Sequence, residues 1–91
     1  MKREQRIQSL ISFISHEYLE DQDIGLDEFT PLLQYGIINS VTLLSLLAFI
    51  ESDMDVRLNA SEIQPNNLST ISSIADLCAV MEARSSLKEP S

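Results

Sequence analysis

The sequence predicts an all-α domain, a small irregular bundle of three substantial helices joined by short helical turns. Three observations carry this. Apolar residues recur at three- and four-residue steps in separate segments, which marks one buried face on each. Side chains able to cap a helix stand just ahead of the second and third of these segments. No strand pattern competes, since only Asp53 to Leu58 alternates, and briefly. The 91 residues suit a single domain, and the 44% hydrophobic content is enough for a core. With only 5% aromatic residues and no Trp, that core is expected to be built of Leu, Ile and Val.

The first helix is read from Ile7, Leu10, Ile11, Ile14 and Tyr18. It stops after Leu19, where Glu20-Asp21-Gln22-Asp23 opposes the helix dipole and Gly25 opens a loop. From Ile24 to Asn39 there is no sustained period, and Pro31 and Gly36 interrupt the run. This is a long, partly ordered loop whose Phe29, Leu32, Leu33, Ile37 and Ile38 are expected to tuck under the helices. Asn39 is placed to cap the next helix. Behind it Leu43, Leu44, Leu46, Leu47 and Ile50 predict the most buried helix, ending near Asp53. Asn59 and Glu62 stand at capping-box spacing, so one turn over Ala60 to Ile63 is expected. Pro65 favours a first-turn position for another short turn through Leu68. Ser69 or Thr70 caps the last helix, whose stripe is Ile71, Ile74, Ala75, Cys78 and Met81. The domain is expected to span 1–84, with a flexible tail over 85–91.

The formal net charge is −8, and between Glu17 and Glu82 the only cation is Arg57. An acidic body repels nucleic acid and anionic lipid, so neither is an expected partner, whereas a basic protein surface suits it. One cysteine, Cys78, excludes an internal disulfide framework and fits a cytoplasmic location. The longest apolar stretch, Val41 to Ile50, is too short to cross a bilayer.

Few residues are able to carry catalysis. His16 is the only histidine and lies just outside the apolar stripe of the first helix, so a Ser-His-acid triad has little support. Asp21 and Asp23 are spaced like calcium ligands, but the glycine comes one position early and Leu32 stands where a bidentate Glu is required. No metal is expected. Cys78 sits on a buried stripe, where a small hydrophobe is the default. There remains Gly36-Ile37-Ile38-Asn39-Ser40-Val41. A serine at a helix start is commonly no more than part of a cap. The same place suits a covalently attached phosphate, because free N–H groups and the dipole favour an anion and the hydroxyl is open to a modifying enzyme.

The longer run Thr30-Pro31-Leu32-Leu33-Gln34-Tyr35-Gly36-Ile37-Ile38-Asn39-Ser40-Val41 resembles the approach to the modification site of acyl and peptidyl carrier proteins. Leu-Leu-x-x-Gly-Ile-Ile-Asp-Ser-Leu is common there, and the serine carries 4′-phosphopantetheine. Phe49-Ile50-Glu51, Val56-Arg57-Leu58, Glu62-Ile63, Pro65-Asn66-Asn67-Leu68 and Ile71-x-x-Ile74-Ala75 are similar to the downstream pattern. The resemblance covers roughly residues 5 to 83. It implies an acyl-carrier-like four-helix bundle, with three main helices, one short helix and a long loop after the first. It also implies a non-enzymatic carrier that holds acyl or aminoacyl groups as thioesters, with Ser40 the attachment residue. Asn39 stands at the family's usual aspartate. A phosphopantetheinyl transferase and the acyl- or aminoacyl-loading and acyl-transfer enzymes are the implied partners of a monomer. They would dock on Val41, Thr42, Ser45, Ala48, Glu51 and Asp53. The first four are neutral where fatty-acid-synthesis members often carry acids, which points to a specialised pathway. The alternative is a helical protein-interaction module without a prosthetic group.

Overall fold

The computed structural model describes residues 2–20 and 25–87, and every regular element among them is helical. Helix α1 spans Arg3–Tyr18, α2 Ser40–Met54, α3 Pro65–Leu68 and α4 Ile71–Leu87, with a single 3-10 turn at Ala60–Glu62. The four-helix architecture expected from the sequence is therefore present, three long helices and one short.

Helix α1 begins where the Lys2 N–H donates to Gln5 Oε1 and the Lys2 carbonyl accepts from Arg6. It ends where Glu20 turns left-handed at φ 52°. Its buried stripe is Ile7, Leu10 and Ile14, packed mainly on Ile71, Ile74, Ala75 and Cys78 of α4 and less extensively on α2. Each fully buried Leu or Ile contributes about 1.5–3 kcal/mol. Helix α4 is capped by Thr70, whose Oγ1 accepts from the Ser73 N–H at 3.0 Å. It runs through Leu87, three residues beyond the boundary expected at 84. Residues 88–91 of the expected tail lie outside the described residues.

Arg6 is a charged residue that the apolar pattern of α1 does not place inside. It lies on the core side of α1 with 1% of its surface exposed, and its Nη2 pairs with Glu82 of α4 at 2.9 Å. Position on the helix decides this: Arg6 follows the inward face one residue ahead of Ile7. Its Nε has no hydrogen-bond partner among the described residues.

The long loop is pinned to α4 and its cap at two points. The Ser72 N–H donates to the Glu28 carbonyl and the Leu32 N–H to the Ser69 carbonyl, both at 2.8 Å, so the loop packs on the start of α4. Leu32, Ile37 and Ile38 are buried as expected. Phe29 is not: it is 69% exposed. The Asp27 carboxylate accepts from the Phe29 N–H and from Thr30 Oγ1, an Asx turn that drives Thr30 inward and Phe29 out.

Leu44 is a second correction, 71% exposed rather than buried. Helix α2 carries more apolar residues than one face can hold. Leu46, Ile50 and Met54 take the inward stripe, with Leu43 and Leu47 on its flanks. At 3.6 residues per turn Leu44 points about 160° away from Leu46.

Candidate functional site

The turn that leads into α2 is built backwards from Gly36. With φ at 73°, Gly36 turns the chain so that the N–H groups of Ile37 and Ile38 both reach the Leu32 carbonyl, at 2.9 and 3.3 Å. Asn39 follows in an extended conformation and caps the helix, its Oδ1 accepting from the N–H groups of Val41 at 2.8 Å and Thr42 at 3.1 Å. Thr42 returns the contact: its Oγ1 accepts from the Asn39 N–H at 2.8 Å and donates to the Ile37 carbonyl at 3.1 Å. These reciprocal bonds fix the backbone on both sides of Ser40.

Ser40 is thus the first residue of α2, exposed, and its hydroxyl has no hydrogen-bond partner among the described residues. The expectation of several free N–H groups for an anion needs correction. The Asn39 side chain already occupies those of Val41 and Thr42, so the helix dipole is the main attraction left for a phosphate on Ser40.

A cleft of about 230 Å³ opens beside Ser40 between the long loop, the first turn of α2 and α3. Leu33, Ile38, Leu43, Ile63 and Leu68 make its apolar wall, and Asn39 and Gln64 supply amides at its edge. The Gln64 side chain donates to the Ser61 carbonyl, which holds it in place.

Tyr18, at the end of α1, reaches the opposite side of the same turn. Its hydroxyl donates to the Thr42 carbonyl at 2.7 Å and contacts Ser45 Oγ. Burial pushes its phenol above the ordinary range. Phe13 stacks on Phe49 with ring centres 4.1 Å apart and meets Tyr18 edge-on at 5.5 Å, which ties α1 to α2 behind the site. By period Tyr18 belongs to the core stripe of α1, and no side-chain pattern signals this bond, because the partner is a backbone carbonyl of another helix.

The other residues singled out in the sequence do not all share one surface. Val41, Ser45, Ala48 and Glu51 lie on the exposed side of α2. Thr42 is half-buried and committed to the cap. Asp53 is exposed but lines a separate groove of about 450 Å³ between α1 and α2, with Gln8, Ser12, His16 and Phe49. Phe49 and Asp53 stand nine and thirteen residues from Ser40, or about 14 and 20 Å along the helix axis. His16 in that groove is out of reach of the Ser40 hydroxyl as a general base. Cys78 is fully buried, and burial pushes its thiol up to about 11, so it is neutral at ordinary pH and a poor nucleophile. Among the described residues no group of His, Cys, Asp and Glu is arranged to hold a metal ion, and no helix is long and apolar enough to cross a membrane.

Fold and site together define a small helical domain that displays an unengaged serine at the first residue of a capped helix, with no hydrogen-bonded base beside it among the described residues. No family model matches the chain. Among individual proteins, it is 31% identical over 74 residues to the probable acyl carrier protein PigG of Serratia sp. (strain ATCC 39006), covering 81% of this chain and 85% of that protein. It also matches a chain in a crystal structure described as that of an FAD-dependent dehydrogenase, with a TM-score of 0.73 and 33% identity. That match covers 76% of this chain and 97% of the other, so the matched polypeptide is itself the size of a small domain. The chain belongs to the acyl carrier protein family.

Proposed function

We propose that this protein carries acyl or aminoacyl groups as thioesters on a 4′-phosphopantetheine arm attached to Ser40. The observation that carries the reading is the exposed, unengaged hydroxyl of Ser40, held on a backbone that Asn39 and Thr42 fix from both sides, in a chain of this family. The surroundings fit the group. The hydroxyl is open to a transferase, the dipole of α2 favours the phosphodiester, and the apolar cleft with its amide edge suits the arm's aliphatic and amide segments.

In the attachment step the Ser40 Oγ attacks the phosphorus of coenzyme A that bears the pantetheine. The pyrophosphate bond breaks, adenosine 3′,5′-bisphosphate leaves, and a base on the transferase takes the hydroxyl proton. The arm supplies a thiol that holds cargo as a thioester. This chain's own residues present it: Asn39 and Thr42 keep the attachment point rigid, and Tyr18 braces the turn from behind. Tethering raises the cargo's effective concentration at each partner enzyme.

The partners in this reading are a phosphopantetheinyl transferase, a loading enzyme and acyl-transfer enzymes, and the carrier itself catalyses nothing. An FAD-dependent dehydrogenase joins them, on the strength of the likeness to the small chain in the structure so described. The net charge of −8 supports a monomer, because two copies repel. A specialised pathway fits an α2 whose first eleven residues carry no charged side chain, and the single cysteine fits the cytoplasm. At about 230 Å³ the cleft suits part of the arm or a short acyl group.

The test is the intact mass of the protein after incubation with coenzyme A, magnesium and a broad-specificity phosphopantetheinyl transferase. One phosphopantetheinyl group is expected on the wild type and none on Ser40→Ala. A folded wild type left unmodified by several transferases would overturn the reading in favour of an interaction module without a prosthetic group.

A further inference from the structure

Tyr18 is the last residue of α1, and its hydroxyl donates at 2.7 Å to the carbonyl of Thr42, 24 residues further along the chain. Ser45 Oγ lies within reach of both atoms, 3.0 Å from the carbonyl and in contact with the hydroxyl. Thr42 is the residue that closes the turn around Ser40. Its Oγ1 accepts from the Asn39 N–H and donates to the Ile37 carbonyl, and its own N–H donates to Asn39 Oδ1. The end of α1 thus stands one residue and two hydrogen bonds away from Asn39, which directly precedes Ser40.

Packing alone does not call for this bond. A carbonyl at the third residue of α2 already accepts from the helix's own ladder, four residues on. A phenylalanine would meet Phe13 edge-on as the tyrosine does, and would avoid the cost of taking a hydroxyl partly out of water. What the hydroxyl adds is a tether from α1 to the residue that holds the cap.

We infer that Tyr18 is a positioning residue for the attachment reaction at Ser40, acting through Thr42 on the backbone that carries the serine hydroxyl. The inference rests on the carrier reading above and adds a residue from another helix to that site. Tyr18 lies behind the turn, so a transferase that approaches Ser40 from its open side does not touch it. Its loss therefore lowers the rate of transfer rather than the affinity for the carrier, because attack on phosphorus depends on alignment of the reacting oxygen. In this way α1 contributes to the chemistry at Ser40 although its core stripe packs mainly on α4.

The experiment measures kcat and KM of a broad-specificity phosphopantetheinyl transferase, with coenzyme A and magnesium, well below the melting temperature of each protein. The substrates are the full chain and its variants Tyr18→Phe, Thr42→Val, the double variant and Ile7→Val. Ile7→Val trims the buried stripe near the other end of α1 at a comparable cost in stability, and serves as the control. Tyr18→Phe is expected to lower kcat about fivefold, the factor that one ordinary hydrogen bond represents, with KM changed less than about twofold. Ile7→Val is expected to leave kcat unchanged. Thr42→Val cuts the link from Thr42 to Asn39, so adding Tyr18→Phe to it is expected to lower the melting temperature further but not kcat. Exchange of the Asn39 amide hydrogen, which needs no prosthetic group, is expected to be faster in Tyr18→Phe than in Ile7→Val. A Tyr18→Phe variant that keeps the wild-type kcat overturns the inference and leaves the carrier reading standing, with Tyr18 a structural tether. So does a loss of kcat that Ile7→Val reproduces, or one that recurs in full on top of Thr42→Val. A wild type that accepts no prosthetic group from several transferases removes the carrier reading and this inference with it.

Discussion

Replacing Asn39 by Ala removes an acceptor from two backbone N–H groups at once, those of Val41 at 2.8 Å and Thr42 at 3.1 Å. Loss of such a cap costs about 1 kcal/mol, within a range of roughly 0.5–2. For a domain of this size each kcal/mol lowers the melting temperature by about 4–8 °C. Asn39→Asp keeps the acceptor and adds a charge at the positive end of the helix, with a gain of about 0.3–1 kcal/mol. The melting order is therefore expected to be Asp above Asn above Ala, read by circular dichroism at neutral pH. Thr42→Val removes the other half of the reciprocal pair. Because the two side chains hold the same turn, the double variant is expected to cost less than the sum of the singles. An Ala variant melting within about 2 °C of the wild type would refute the reasoning, since it would mean that solvent replaces the cap without loss.

Three further outcomes follow from the same contacts. Cys78, with its thiol pushed up to about 11 by burial, is expected to resist an aromatic disulfide reagent in the folded protein at neutral pH and to react at once in denaturant, read by absorbance. Glu82 is held below its ordinary value of 4.5, chiefly by its hydrogen bond from Arg6. A carboxylate with a lowered folded pKa contributes stability above its unfolded pKa and loses it as pH falls through the folded one. Glu82→Gln is thus expected to lower the melting temperature at neutral pH and to shrink the loss seen on acidification, whereas Arg6→Met, which replaces the buried charge by a hydrophobe, costs less than Glu82→Gln. Tyr18→Phe removes the bond to the Thr42 carbonyl and is expected to cost about 1 kcal/mol in denaturant unfolding. Since burial raises the Tyr18 phenol, that contribution is present below its unfolded pKa near 10 and disappears as pH rises through the folded value.

Much of the helical layout is determined by local sequence. Ile7, Leu10 and Ile14 on α1 and Ile71, Ile74, Ala75 and Cys78 on α4 repeat at helical spacing, and their burial follows from period alone. Asn39, Thr70 and Pro65 mark helix starts because a cap or a fixed φ acts on its nearest neighbours. The exposed position of Ser40 follows from the same local rule, since the first residue of a helix behind a cap has no turn in front of it. What these signals leave open is which of several apolar residues faces inward. Leu43, Leu44, Leu46 and Leu47 are equivalent by composition, and only the position of α1 and α4 against α2 decides that Leu46 is buried while Leu44 stands in solvent. The same holds for Phe29, turned outward by an Asx turn that the packing of Thr30 stabilises, and for Arg6, carried into the core by its place on the inward stripe and met there by Glu82, 76 residues further on. Tyr18 reaches a backbone carbonyl of α2, a partner that no side-chain pattern encodes. Burial direction, long-range ion pairs and bonds to another helix's backbone depend on how elements are oriented to one another, so tertiary packing decided them, whereas helix positions, caps and the serine at the head of α2 were determined by interactions that reach no further than about one turn of chain.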